Sequence, residues 1–168
     1  MPIGRKNLVA TGLAATNVNV ASGATLRLPH SATSPYTIGA GVSLGGEGAI
    51  LGSVRYAAGA TLDVSAGVPD IEDIQIVDAT LRFTRAQDAS APWQAANVSR
   101  ISGTVTVDAS DWASGKTPGR IMLMTVDPDA VDATFALTGL SQASTLSFDR
   151  SSGLLAIDTL SGTFIVIR

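Results

Sequence analysis

Apolar and polar positions alternate in short runs along this chain, and glycine recurs between the runs. Val18-Asn19-Val20-Ala21-Ser22-Gly23-Ala24-Thr25-Leu26 returns as Tyr36-Thr37-Ile38-Gly39-Ala40-Gly41-Val42-Ser43-Leu44, and again as Val54-Arg55-Tyr56-Ala57-Ala58-Gly59-Ala60-Thr61-Leu62. Gly23, Gly41 and Gly59 stand 18 residues apart. A period of two within each run predicts strands, because successive side chains of a strand point to opposite faces. The longer period predicts a solenoid, in which each repeat buries its apolar face against its neighbours. Aligned by their glycines, the repeats place Leu26, Leu44 and Leu62 in one inward column. Thr25, Ser43 and Thr61 then fall in one outward column.

The alternation continues in Asp70-Ile71-Glu72-Asp73-Ile74-Gln75-Ile76, in Ala79-Thr80-Leu81-Arg82-Phe83 and in Gly103-Thr104-Val105-Thr106-Val107. Turn-forming residues at about 87–97 predict a loop inserted into a rung, and Trp93 within it is expected to fold over the apolar column. Past Asp108 the period is lost. Arg120-Ile121-Met122-Leu123-Met124-Thr125-Val126 reads as a buried strand. Thr145-Leu146-Ser147-Phe148 and Leu154-Leu155-Ala156-Ile157 read as a hairpin, and Gly162-Thr163-Phe164-Ile165-Val166-Ile167 as a final strand. The expected fold is all-β: a single-stranded parallel β-helix over 1–108, closed by a C-terminal antiparallel β-cap of the same domain over 109–168.

Composition narrows the function classes. Hydrophobic residues make up 45% of the chain, charged residues 15%, and the net charge is −3. No basic stretch recommends a nucleic acid as partner. No apolar run is long enough to insert into a membrane. Cysteine is absent, which removes disulfides, thiolate catalysis and cysteine-based metal sites. Met1-Pro2-Ile3-Gly4-Arg5-Lys6 is followed by no apolar signal core, so targeting segments are expected outside these residues.

The phrase Ala58-Gly59-Ala60-Thr61-Leu62-Asp63-Val64 resembles the repeats of bacterial autotransporter passenger domains and related large surface β-helix proteins. The stretch from Thr145 to Ile157 is similar to the hairpin region near the end of such passengers. The resemblance implies a right-handed parallel β-helix, exported to a cell surface or the extracellular space, and it supplies no catalytic residues. A rival period of six runs through Val20, Leu26, Ala32, Ile38, Leu44, Ile50, Tyr56, Leu62, Val68 and Ile74. That spacing is how left-handed β-helices similar to hexapeptide acyltransferases are built. Such an enzyme would want a histidine base, and His30 is the single histidine. The irregular turn after Val77 fits that family poorly, so the right-handed form is preferred.

Candidate chemistry is sparse. Arg55, Arg82 and Arg100 share a column if the rungs align, and with Trp93 they make a candidate face for a glycan or a host surface. Asp70 and Glu72 share a strand face and form the acidic alternative, a polysaccharide-processing pair or calcium ligands. The carboxylates of Asp127-Pro128-Asp129 are expected to bond local backbone amides. Gly45-Gly46-Glu47-Gly48 precedes no helix and reads as a bend rather than a phosphate loop. No catalytic, cofactor-binding or metal residue is assigned. The sequence thus points to a non-catalytic structural or adhesive segment of an exported bacterial protein. The alternatives are a self-assembling subunit, a polysaccharide-binding or polysaccharide-processing β-helix, and a left-handed acyltransferase. Self-association is expected at the N-terminal edge, where only Pro2, Arg5 and Lys6 discourage strand pairing.

Overall fold

A computed structural model of the chain describes residues 7–9, 16–28, 31–64, 67, 70–84, 92–113, 119–140 and 144–159. The strands in chain order are β1 (Asn7–Val9), β2 (Asn17–Asn19), β3 (Thr25–Arg27), β4 (Tyr36–Ile38) and β5 (Ser43–Gly45). They continue as β6 (Ala49–Tyr56), β7 (Thr61–Asp63), β8 (Asp70–Val77), β9 (Thr80–Arg82) and β10 (Trp93–Gln94). Last come β11 (Val98–Asp108), β12 (Arg120–Thr125), β13 (Val131–Thr138), β14 (Ser144–Asp149) and β15 (Leu154–Thr159). Single turns of 3-10 helix cover Ser110–Trp112 and Pro128–Ala130.

The chain is all-β, and its main feature is an 11-stranded parallel sheet curled into a half-barrel around an apolar core. Three runs of parallel pairing make up the curl. In the first, Val18, Leu44, Leu62, Leu81, Val107 and Leu137 are successive register partners. In the second, the partners are Leu8, Leu26, Ile50 and Ile71. In the third they are Ile38, Tyr56, Ile76, Ile101 and Val131. The long strands β6, β8, β11 and β13 bend from one run into the next. Leu44, Leu62, Leu81, Ile50, Tyr56, Ile76 and Ile101 are each 0% exposed, so the three runs face one interior.

The corner between the third and first runs explains part of the glycine spacing. Gly41, Gly59 and Gly103 sit there with φ of 76°, 76° and 77°. A left-handed backbone is costly for a side chain that has a Cβ. Between them comes Asp78, φ 54°, a residue type that tolerates this region. Its Oδ1 accepts from Thr104 N–H at 2.8 Å, tying one coil to the next, and a Cβ on Gly103 would overlap that carboxylate.

The first repeat departs from the expected alignment. Val18 pairs with Leu44, and Leu26 pairs with Ile50, so Leu26 lies in a different column from Leu44 and Leu62. Gly23 accordingly turns a different corner, between β2 and β3. One strand–glycine–strand phrase serves two corners, because it encodes a bend without specifying which side of the coil bends. The outward hydroxyl column is Ser43, Thr61, Thr80 and Thr106, with Thr25 outside it. Among the described hexad positions Val20, Leu26, the run from Ile38 to Leu62, and Ile74 are buried, whereas Ala32 is exposed, and Ile50 pairs with Ile71, which lies off the hexad spacing.

Parallel stacking also crosses the boundary expected at 108. β13 lies parallel to β11 from Ile101↔Val131 to Asp108↔Thr138. A smaller sheet, ordered β10-β12-β15-β14, combines one parallel pair with two antiparallel ones. β14 and β15 form the hairpin read from the sequence. The stretch expected to be a purely antiparallel cap therefore divides between the two sheets, and a single apolar cluster runs through both. The expected final strand at 162–167 and the N-terminal residues Pro2, Arg5 and Lys6 lie outside the described residues.

Leu62 touches register partners on both sides and is fully buried, so Leu62→Ala is expected to cost about 2–5 kcal/mol. Thr61→Ala, on the outward face of the same strand, is expected to cost less than about 1 kcal/mol. Urea unfolding of the two variants compares them directly.

Candidate functional site

The largest departure from regular pairing lies where β6 bends from the second run to the third. Ile50 pairs with Ile71 and Ser53 with Asp73, so Leu51 and Gly52 oppose Glu72 alone. This is a β-bulge, and Gly52 takes φ 112° within it. A bulge frees a ladder amide, and here Gly52 N–H donates to Glu72 Oε2 at 2.8 Å. Glu72 Oε1 has no hydrogen-bond partner among the described residues.

The preceding coil makes the same bend by a longer route. Its residues 31–34 form a small turn, closed by Ser34 N–H donating to Ser31 O at 2.9 Å, and this turn stands over the bulged corner. Between turn and corner lies an open groove of about 440 Å³, lined by Arg27, Leu28, Ser31, Ser34, Leu51, Gly52 and Glu72. Arg27 is exposed and makes no ion pair among the described residues. The turn is braced from one side. Gln75 Nε2 donates to Ala32 O at 2.9 Å, and Gln75 Oε1 accepts from Arg55 Nε at 3.1 Å and Nη2 at 2.9 Å.

The expected arginine column is only partly formed. Arg55 and Arg100 do share one, with Gln75 between them in register. Arg82 lies in the first run instead, between Asp63 and Asp108. Its guanidinium is 3.5 Å from Asp63 and 3.1 Å from Asp108, an acid–base–acid ladder across three coils. Burial works to raise the Asp108 carboxyl, but hydrogen bonds from Ser110 and Arg82, with the Arg82 charge, outweigh it and hold the group below its ordinary value. A second groove, of about 410 Å³, runs beside this ladder along Asp63, Arg82, Phe83, Thr84, Ser110 and Asp111.

Other candidates move apart. Trp93 is 8% exposed and pairs with Met124 in the smaller sheet, so it belongs to the core and offers no ligand platform beside the arginines. Asp70 and Glu72 are both exposed, but only Glu72 reaches the groove, where it already holds the bulge. Asp127 Oδ1 accepts from Asp129 N–H at 3.0 Å, the local turn bond its sequence suggests. Asp149 caps the hairpin turn. Its carboxyl is lowered to about 2 by the Ser152 and Ser151 hydroxyls, assisted by Ser151 N–H. Gly45, Gly46 and Gly48 are explained by close packing: a Cβ on Gly45 would overlap the Asp63 carbonyl, and one on Gly46 or Gly48 would press on Val20. His30 lies outside the described residues. No cluster of three potential metal ligands occurs among the described residues.

Sequence reasoning missed Arg27, Gly52 and Gln75. A signal existed in β8, where the inward residues Ile71 and Ile74 are three apart and break the period of two, while Gly52 takes an inward position of β6 with no side chain. No family model, no curated protein and no solved structure matches the chain.

Arg82 and Asp108 generate a pH prediction. A carboxyl whose native value is depressed contributes stability above its unfolded value of about 3.9, and that contribution is lost as pH falls through the native value. The pair is partly exposed, so Arg82→Ala is expected to cost at most about 1 kcal/mol at pH 7. The gap to the parent protein should close towards pH 2, and urea midpoints across pH 2–7 measure it.

Proposed function

We propose that this chain is a structural segment of an exported surface or extracellular protein, a right-handed parallel β-helix whose smaller sheet closes one end, and that it is not an enzyme. The observation that carries the reading is the use made of its polar side chains. Arg82 spans Asp63 and Asp108, Arg55 grips Gln75, Gln75 holds Ala32, Glu72 holds Gly52 and Asp78 holds Thr104. Each of these contacts joins different coils of the ladder. Groups that an enzyme would keep free for a substrate are engaged here in bracing one coil against another. Right-handedness is supported by the strong preference of parallel crossovers for that hand. Export is supported by the resemblance of the Ala58–Val64 phrase and the hairpin to passenger domains, and by a cysteine-free chain that crosses an oxidising compartment without trapping.

Two measurements test the reading together. Pulled end to end, single molecules should lengthen in discrete steps as coils detach, each releasing roughly 60–100 Å of chain. Incubated with neutral and acidic polysaccharides, the protein should give no turnover. Turnover abolished by Asp70→Asn or Glu72→Gln would overturn the proposal in favour of a polysaccharide-processing enzyme.

A further inference from the structure

We propose that the groove beneath the 31–34 turn binds one acidic sugar unit, with Arg27 receiving its carboxylate and Glu72 Oε1 accepting from its hydroxyls. The groove's volume of about 440 Å³ falls within the range of small-ligand sites, about 300–1,000 Å³. Its chemistry is the exception to the bracing seen elsewhere. Arg27 and Oε1 of Glu72 are the charged groups of this lining that no contact among the described residues engages. A guanidinium presents a planar fork that matches a carboxylate through two parallel hydrogen bonds.

Glu72 sets the rest of the selectivity. Its Oε2 is fixed by Gly52 N–H at 2.8 Å, so Oε1 is held in one orientation. A carboxylate oxygen accepts from hydroxyl groups but repels a second negative charge. A doubly charged phosphate ester is therefore disfavoured, whereas a ligand with one carboxylate and a row of hydroxyls is accommodated. The Ser31 hydroxyl adds a polar contact, and Leu28 with Leu51 supplies an apolar floor for the sugar's C–H face.

The site is also held in shape before any ligand arrives. Arg55 positions Gln75, and Gln75 holds the turn through Ala32 O. Preorganisation of this kind reduces the ordering cost of binding. Gln75 is not part of the groove's lining and acts as a positioning residue. The Arg27 variants separate this reading from the mechanical one, because the Arg27 side chain makes none of the bracing contacts named above, whereas Glu72 and Gln75 do.

The test is protein-observed NMR titration of the whole chain with D-galacturonate, digalacturonate, galactose and galactose 6-phosphate. Galacturonate should shift the amides of Gly52 and Glu72 with millimolar affinity, and galactose and the phosphate ester should bind at least about tenfold more weakly. Arg27→Ala should lose at least about tenfold with an unchanged melting temperature, and Arg27→Lys should recover part of the loss. Gln75→Ala should weaken binding while Arg27 remains. A digalacturonate affinity equal to that of galacturonate assigns the groove to a free sugar or chain end, and a higher one assigns it to a unit within a polymer. Galacturonate binding that is undetectable, equal to that of galactose, or unaffected in Arg27→Ala overturns the proposal.

Discussion

Everything in this molecule depends on parallel register. In a curled parallel sheet each residue lies about 4.8 Å from its register partner in the adjacent strand. An inward position must therefore be apolar in every coil at once, because each inward side chain packs against those of the strands beside it. The column Val18, Leu44, Leu62, Leu81, Val107, Leu137 obeys that constraint across both ends of the curl. On the outside the same proximity punishes like charges and rewards alternation. Asp63, Arg82 and Asp108 are the result, as are Arg55 and Gln75.

Register constrains the strands but leaves the corners free. Along the first column the spacing between partners is 26, 18, 19, 26 and 30 residues, so coil length varies while pairing persists. The variation collects at bends. Where Gly41 and Gly59 turn the chain in a few residues, the corners stack closely, with Gly41 N–H donating to Gly59 O at 2.9 Å. At the bend between the second and third runs, one coil spends extra residues on the 31–34 turn and the next spends one on a bulge. The groove is the space left between two unequal solutions to the same bend.

That division also explains what could be read in the sequence. Period two marks strands because burial on one face demands it, and Leu44, Leu62 and Leu81 fall into one column as their pattern suggests. Register between coils is harder, because the same strand–glycine–strand pattern around Gly23 and Gly41 fits either corner; only the stacking partners Leu44 and Ile50 decide it. The return of β13 to the ladder carries no glycine phrase, and Val131-Asp132-Ala133-Thr134-Phe135 looks like any amphipathic strand. Trp93 could be expected over the core, and its burial reflects a partner, Met124, that is distant in sequence. Of the candidate site, Glu72 and Arg55 were legible as polar residues on an outer face. Their roles were not, since both depend on which residue of another coil stands beside them.

The location of the groove follows from the same physics. A flat stretch of ladder offers outward side chains that neighbouring coils already satisfy, as Arg82 is satisfied by Asp63 and Asp108. A group becomes available to a ligand only where register breaks and a neighbour is missing. At the bulge, Leu51 and Gly52 together face one residue of β8, and Arg27 stands in register with Leu51, an apolar partner that cannot pair with it. Arg27 makes no ion pair among the described residues, and the interruption beside it frees the Gly52 amide that fixes Glu72. In a molecule whose stability comes from repetition, the place with spare chemistry is the place where the repeat fails.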